Sequence, residues 1–496
     1  MLRFKKSLNV SARSTWVNPF GQMKVFCSSA SFVLFLIVVI WIPIPKAGMM
    51  PAALPFLGFC MAAVFYLHIV SLGADELYKS RFWLLIWLAF SVCICIHVWL
   101  VPYLSGVNRL IGHDSLFDDA INHSIVSGMP KLQVWYYFSI MWVAAWRVSL
   151  MSERQIKALL LLVMLVSSFQ AFYGVGHFLT SSISVLGLWD KLYYTKDVTG
   201  TFVNRNHFSG MLAICWPLVL SGLIAVKPLI FSSRSELFRV GLAGMYSLLI
   251  VIALITSHSR MGVVAAFFGF TVWGVLYIRC NKNKGVMARR WLLWCAGLLL
   301  ILFAIWFGVA DILGRYSQLG DANGRLIIWS SILDLPLRVL VVGVGPGGFE
   351  DVYQLVKPSW KGLRTVYAHN DYLEFLVEFG FVLGGFLVLI FSLWLWRATP
   401  RGDFILRAGA LGSVAAMALH SVVDFSLQIP GAALFFWIAI GVLMNEGLDS
   451  TKGVLNEDLT KDGSVKIVRR RNGNQKGRKK ALTVKQRWMA YLRPQD

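Results

Sequence analysis

The stretch VFCSSASFVLFLIVVIWI, residues 25–42, runs for eighteen residues without a charge. A helix of that length spans about 27 Å, close to the hydrocarbon core of a bilayer at about 30 Å. Comparably apolar runs recur at 54–72, 82–100, 132–150, 156–178, 207–226, 240–256, 261–278, 291–309, 373–396, 408–425 and 430–445. The whole chain of 496 residues agrees, being 57% hydrophobic with a mean hydropathy of +0.65 and only 15% charged, well below the quarter or so usual in soluble domains. The expected fold is all-α, a polytopic integral membrane protein of about twelve transmembrane helices, with a long loop between the ninth and tenth.

Charge orients the chain. Lys and Arg concentrate in cytoplasmic loops, so a wrong span count would scramble their alternation. With the N-terminus inside, the inner loops and N-terminal segment hold 21 of the 47 basic residues, the C-terminal tail 13 and the outer loops 13. Both termini are therefore expected in the cytoplasm. The net charge of +22 is scattered over short loops rather than gathered on one domain, which argues against nucleic-acid binding. The tail is the exception, with Arg469, Arg470, Arg471, Lys476, Arg478, Lys479 and Lys480 among Gly, Asn and Gln. It reads as a disordered, solvated segment attracted to anionic lipid. The expected organisation is a cytoplasmic segment 1–24, an N-terminal bundle 25–199, a membrane core 200–445 that includes an outer loop 310–372, and the basic tail 446–496.

None of the seven cysteines falls in an expected outer loop, and no Cys/His cluster has metal-ligand spacing, so neither a disulfide nor a metal site is expected. In the long loop, Gly324–Leu337 reads as a short amphipathic helix with Leu326, Ile327, Trp329, Ile332 and Leu333 on one stripe. The following VLVVGVGPGGFE spaces Gly343, Gly345 and Gly348 as GxGxxG. A dinucleotide site needs a βαβ unit around that spacing. Here it lies between membrane spans, and a tight turn that lets backbone approach a phosphate fits better.

Charged and polar residues at the outer boundary carry the chemistry, because each costs free energy there unless paired or used. Arg260, in SHSRMG, either snorkels to lipid phosphates or clamps an anion with its planar fork. Arg325 is a second candidate anion ligand near the start of the loop helix, against an ordinary exposed loop Arg. His369 opens AHNDYLEFLVEFG, where the loop returns to the membrane, and an imidazole there can take or give a proton near neutral pH; Asn370 follows it. Asp371 and Glu374 resemble a capping box at the start of the tenth span. Asn204, Asn206 and His207 in GTFVNRNHFSG enter the sixth span, and His420 and Asp424 in HSVVDFSLQIP lie one turn apart near the end of the eleventh. Together they point to a hydrated cavity open to the outside.

Taken in order, GTFVNRNHFSG, SHSRMG, GRLIIW with GVGPGGF, AHNDYLEFLVEFG and HSVVDFSLQIP resemble the O-antigen ligase and O-antigen polymerase superfamily over roughly Gly200 to Ile440. Single motifs are weakly specific; their order and shared side of the membrane are more so. The resemblance implies a GT-C-like, metal-independent glycosyltransferase without a cofactor, in the bacterial inner membrane. It implies transfer of a glycan from an undecaprenyl-diphosphate carrier at the periplasmic face to a glycan or lipid A core acceptor. By the same resemblance, Arg260 and Arg325 match the arginines that engage the diphosphate, and His369 the loop histidine of the catalytic set; Asn204, Asn206, His207, Asn370, His420 and Asp424 would contact substrate. The motifs do not separate ligases, polymerases of O-antigen or exopolysaccharide, and oligosaccharyltransferases that modify protein hydroxyls; the second half carries no recognisable protein-acceptor domain, which ranks protein modification last. The first 200 residues share only hydrophobic spans with the family, and acceptor choice would reside there. The alternative is a polysaccharide flippase or other transporter, which should instead carry midplane polar residues on broken spans.

The charge pattern predicts His113, Arg325 and His369 outside and Arg289 and Lys479 inside. Cysteines introduced at these positions, probed with an impermeant thiol reagent in outer-permeabilised cells, should label at 113, 325 and 369 only. Labelling at 289 but not at 325 would reverse the orientation.

Overall fold

The structure, a computed structural model, describes residues 19–100, 128–225, 236–280, 320–335, 337–357, 365–398, 404–445, 448, 458–459 and 465–466. Helices dominate. In chain order they are α1 (Pro19–Trp41), α2 (Ala53–Ser71), the short α3 (Ala74–Lys79), α4 (Arg81–Cys95), α5 (Gly128–Ser149), α6 (Glu153–Leu179), α7 (Arg205–Ala225), α8 (Glu236–Thr256) and α9 (Arg260–Cys280). The loop helices α10 (Gly320–Leu333), α11 (Leu337–Val342) and α12 (Phe349–Val356) follow, then α13 (Asp371–Phe379), α14 (Gly385–Ala398), α15 (Phe404–His420) and α16 (Pro430–Leu443). Two-residue strands β1 (Ser184–Val185) and β2 (Trp189–Asp190) form a hairpin after α6, and β3 (Asp458–Leu459) pairs with β4 (Val465–Lys466) in the tail.

Among the described residues eight helices are long and apolar enough to cross a membrane, and Ile405–His420 and Pro430–Leu443 are shorter apolar helices. Eleven of the twelve expected spans coincide with described helices; the ninth, 291–309, lies outside the described residues, as does most of the tail. Large apolar side chains such as Phe59, Phe172 and Met245 stand exposed on the outside of the bundle, where a soluble protein would carry charge. Lipid is the solvent that makes such a surface stable.

The bundle centres on α7, α9 and α15, and small residues let these three come together. A Cβ on Gly269 of α9 would lie 2.6 Å from the Gly412 carbonyl oxygen of α15, and one on Gly412 would lie 2.7 Å from that of Gly269. The two backbones therefore touch, the small-residue packing that replaces hydrophobic driving force inside a membrane. Helix α7 contains Pro217, which leaves the Ala213 carbonyl without its helical donor. Close by, Ser413 Oγ donates to the Ile214 carbonyl (2.6 Å). Just before this crossing on α15, Arg407 donates to the Asn445 carbonyl (3.0 Å), and Asn445 Nδ2 donates to the carbonyls of Val148 and Met151 (2.9 Å each), tying α15, α16 and α5 at the end away from His420.

The loop helices form a second core, with Ile328, Ile332, Leu335, Phe349, Val352 and Tyr353 packed on Ala368 and Val377. Helix α10 begins and ends four residues earlier than the sequence suggests. Leu326 and Leu333 of the expected stripe are exposed, while Ile328, Ser331 and Ile332 face inward. The helix thus packs on its own loop neighbours rather than laying a continuous stripe on lipid.

The expected tenth span is interrupted. Gly380 adopts φ +69°, and a π-helical turn at Gly380–Gly384 separates α13 from α14. Gly343 (φ +86°) packs into this break, its Cα against the Glu378 carbonyl and the Phe379–Gly380 peptide, so neither glycine has room for a side chain. Val344 N donates to the Val377 carbonyl (3.0 Å) and Gly345 N to the Glu378 carbonyl (2.9 Å). Gly347 N donates to Glu378 Oε1 (2.8 Å). Amides of the glycine-rich turn that would cradle a phosphate are therefore directed to Glu378 and its helix end, and the turn docks the loop instead.

Substituting Gly412 by Leu forces α9 and α15 apart, and overpacking of this kind costs about 1–3 kcal/mol or more. Thermal unfolding of detergent-purified protein should show clear destabilisation. Gly244→Leu, where nothing lies within 4 Å of the new Cβ, should leave the midpoint unchanged.

Candidate functional site

The helix ends on one side of the bundle converge on Phe425. The ring of His207, in the first turn of α7, meets Phe425 edge-on with centroids 4.6 Å apart; that of His369 does the same at 5.0 Å. Tyr367 stacks on the same phenyl ring at 4.0 Å. Each such contact adds about 0.5–1.5 kcal/mol beyond area burial. The segment is pinned below by Asp371 N, which donates to the carbonyls of Ser421 (3.0 Å) and Asp424 (3.3 Å). The loop that brings His369 in and the turn after α15 are thus one unit.

His369 itself sits at φ +51°, a left-handed conformation that costs an ordinary residue about 1–2 kcal/mol and persists where neighbours dictate it. Three neighbours do so. Trp329 Nε1 donates to the Ala368 carbonyl (3.0 Å), Ala368 N donates to Glu374 Oε2 (2.7 Å), and Gln428 Nε2 donates to Glu374 Oε1 (2.8 Å). Asn370 caps α13, its Oδ1 accepting from Tyr372 N (3.0 Å) and Leu373 N (3.1 Å). The cap is therefore Asn370, and the expected Asp371/Glu374 capping box does not form. Glu374 holds Ala368, where it shapes the His369 backbone. Burial, followed by the charges of Glu374 and Glu350, raises the Tyr367 hydroxyl above its ordinary pKa.

Arg325 precedes Trp329 by four residues and so shares its helix face. The bond from Trp329 to Ala368 brings that face towards the His369 segment. The Arg325 side chain is half-buried. Arg260 is exposed and is the first residue of α9. The preceding residue, Ser259, donates its Oγ hydrogen to Asn206 Oδ1 (2.9 Å), and Asn206 adjoins His207. Asn204 accepts from Asn206 N (2.8 Å), closing the turn into α7.

His207 Nε2 lies 3.5 Å from Asp424 Oδ1, in a pair only 8% and 2% exposed. His420 is fully buried, with Nδ1 3.4 Å from Ser426 Oγ. Of the residues expected to contact substrate, Asn204, Asn370, His420 and Asp424 act within the protein in this state, as turn, cap and buried polar support. His207 is buried against Asp424, and Asn206 accepts from Ser259, the neighbour of Arg260. Among the described residues no group of three or more His, Cys, Asp or Glu could hold a metal ion.

Several residues of this region were not legible as site components. Asp197 accepts from His258 Nδ1 (2.7 Å, Oδ1) and from Arg205 (3.1 Å, Oδ2), joining the loop before α7 to the turn before α9. His258 also sits at φ +53°, two residues before Arg260. Lys191 reaches the Asp197 carbonyl (3.4 Å), and burial, partly offset by the Asp197 charge, lowers its pKa to about 8. His258 and Arg205 lie inside the motifs SHSRMG and GTFVNRNHFSG; Asp197 precedes the second, and only its spatial neighbours reveal it.

Arg260, Arg325 and His369 come from three chain segments whose neighbouring residues are hydrogen-bonded at one end of a helical bundle, Ser259 to Asn206 and Trp329 to Ala368. Two guanidinium groups and an imidazole can bind an anion, stabilise a departing one and accept a proton. No curated protein matches the chain. Residues 245–388, the segment carrying Arg260, Arg325, His369 and Asn370, match the O-antigen ligase family, which supports placing this multi-pass helical chain in the O-antigen ligase and polymerase superfamily.

Proposed function

We propose that the chain is a glycosyltransferase that moves or polymerises a glycan from an undecaprenyl-diphosphate-linked donor at the periplasmic face of the inner membrane. The observation that carries this reading is the bond from Trp329 to Ala368 (3.0 Å), which couples the helix of Arg325 to the strained His369. An anion ligand and a proton acceptor are held together there.

In this scheme the acceptor hydroxyl oxygen bonds to the anomeric carbon while the glycosidic bond to the diphosphate breaks. The bonding pair leaves with the diphosphate oxygen. Arg260 and Arg325 bind that oxyanion as forks, and His369 orients the acceptor hydroxyl and takes its proton. The buried His207–Asp424 pair supports His369 through Phe425. The donor carries its own leaving group, so positioning and charge stabilisation suffice without a metal. A transporter would also show an interrupted span, but the break at Gly380 is filled by Gly343 rather than left as a polar cradle.

Purified enzyme with lipid-linked donor should release undecaprenyl diphosphate as glycan is transferred, and should do so after EDTA treatment. Arg260→Lys and Arg325→Lys keep charge but lose the fork, and each should lower transfer by about tenfold or more, or about 1.4 kcal/mol. His369→Ala should lower turnover more than donor affinity. Full activity in all three variants, or no release of the carrier by the wild type, would contradict the reading.

A further inference from the structure

Between α6 and α7 the chain makes a short outgrowth that the proposed chemistry does not use. Its hairpin pairs Ser184 with Asp190 and Val185 with Trp189. Val185 is fully buried, yet the neighbouring apolar side chains point away from the protein: Leu188 is 57%, Tyr193 69% and Leu192 83% exposed. This is not a loosely held loop. Leu186 N donates to Tyr173 Oη (2.8 Å), and Lys191 N donates to the Ile183 carbonyl (2.9 Å). His177 Nε2 lies 3.1 Å from the Ser184 carbonyl, and the Lys46 ammonium sits over the Trp189 ring, 5.2 Å from its centroid. The exposed apolar groups are therefore fixed in place, at a cost in water that something must offset.

The position of the hairpin identifies its occupant. On α6 the exposed residues Leu161, Leu165, Phe169, Phe172 and Leu179 recur at helical spacing, within about 80° of one another at 100° per residue. This stripe faces acyl chains if α6 crosses the membrane. Tyr173, which receives Leu186, follows Phe172 and, like His177, belongs to the last two turns of α6, so the hairpin folds back beside the end of this lipid-facing stripe. Its composition is that of a membrane interface, where Trp and Tyr rings and Lys ammonium groups accompany aliphatic side chains.

We infer that residues 180–196 are an interfacial anchor whose Leu188, Leu192 and Tyr193 lie in the adjoining lipid monolayer. The anchor is continuous with the Asp197 carboxylate, which bridges Arg205 at the start of α7 and His258 beside Arg260. It thereby sets the height of the candidate site against the plane of lipid phosphates. The inference depends on the membrane-crossing helices and is independent of glycosyl transfer.

Photo-crosslinking tests it. The full chain carrying p-benzoylphenylalanine in place of Leu192, or separately of Tyr193, would be reconstituted at one chain per nanodisc of phosphatidylethanolamine and phosphatidylglycerol, and at higher density in vesicles of the same lipids. Both residues are so exposed that the substitution leaves the packing intact, which a retained melting temperature would verify. Mass spectrometry should show adducts heavier by one phospholipid at positions 192 and 193, and none when the probe replaces the exposed Lys196, whose charge the anchor would leave in water. Covalent dimers in the vesicles without lipid adducts would make the surface a contact between copies, and unmodified chain at both positions would make it aqueous. Either result overturns the anchor.

Discussion

Backbone contact between α9 and α15 at Gly269 and Gly412 is the constraint on which the site depends. Inside a bilayer there is no hydrophobic gain from bringing two apolar helices together, so close packing and internal hydrogen bonds must hold them. Helix α7 joins the same crossing at Pro217, where Gly409 of α15 leaves no room for a Cβ beside Ser221 and the Pro217 carbonyl. Three helices fixed there diverge by only a few turns before reaching His207, Arg260 and His420. A small error at the crossing would be amplified at the helix ends, where transfer chemistry tolerates about 1 Å or less.

At those ends, rigidity comes from polar groups that serve each other. Glu374 holds the backbone before His369, Asn370 caps the helix after it, and Asp371 N grips the turn that contains Asp424. Phe425 is the shared surface: His207, Tyr367 and His369 all lean on it, so rings from two separate segments are set by one side chain. Two histidines of the region, His258 and His369, are held in left-handed backbone conformations, each fixed by a neighbouring segment. Strain maintained in this way is what a preorganised site requires.

Most of the helical framework was legible because apolar runs report lipid directly. Arg260, Arg325 and His369 stood out in the sequence because polar and charged groups at a membrane boundary need a reason, and their roles belong to the proposed chemistry. What escaped reading was three-dimensional. The Gly343–Gly348 spacing suggested a phosphate turn, whereas its amides meet Glu378 and the broken helix at Gly380, a contact across more than thirty residues of chain. Asp371 and Glu374 matched a capping pattern, but Asn370 captured the cap and freed Glu374 to hold Ala368. Asp197 carries no local signal at all; its role follows from the distances to Arg205 and His258.

The central claim is that Arg260 and Arg325, brought in by separate segments, act on one diphosphate. A cryo-EM structure of the protein in a nanodisc with an undecaprenyl-diphosphate-linked glycan bound would test it most directly. The account predicts both guanidinium groups within hydrogen-bond reach of the diphosphate oxygens, with the His369 imidazole facing the anomeric carbon from the acceptor side. Guanidinium groups more than about 15 Å apart in the donor-bound state, too far for one site to use both, would contradict it.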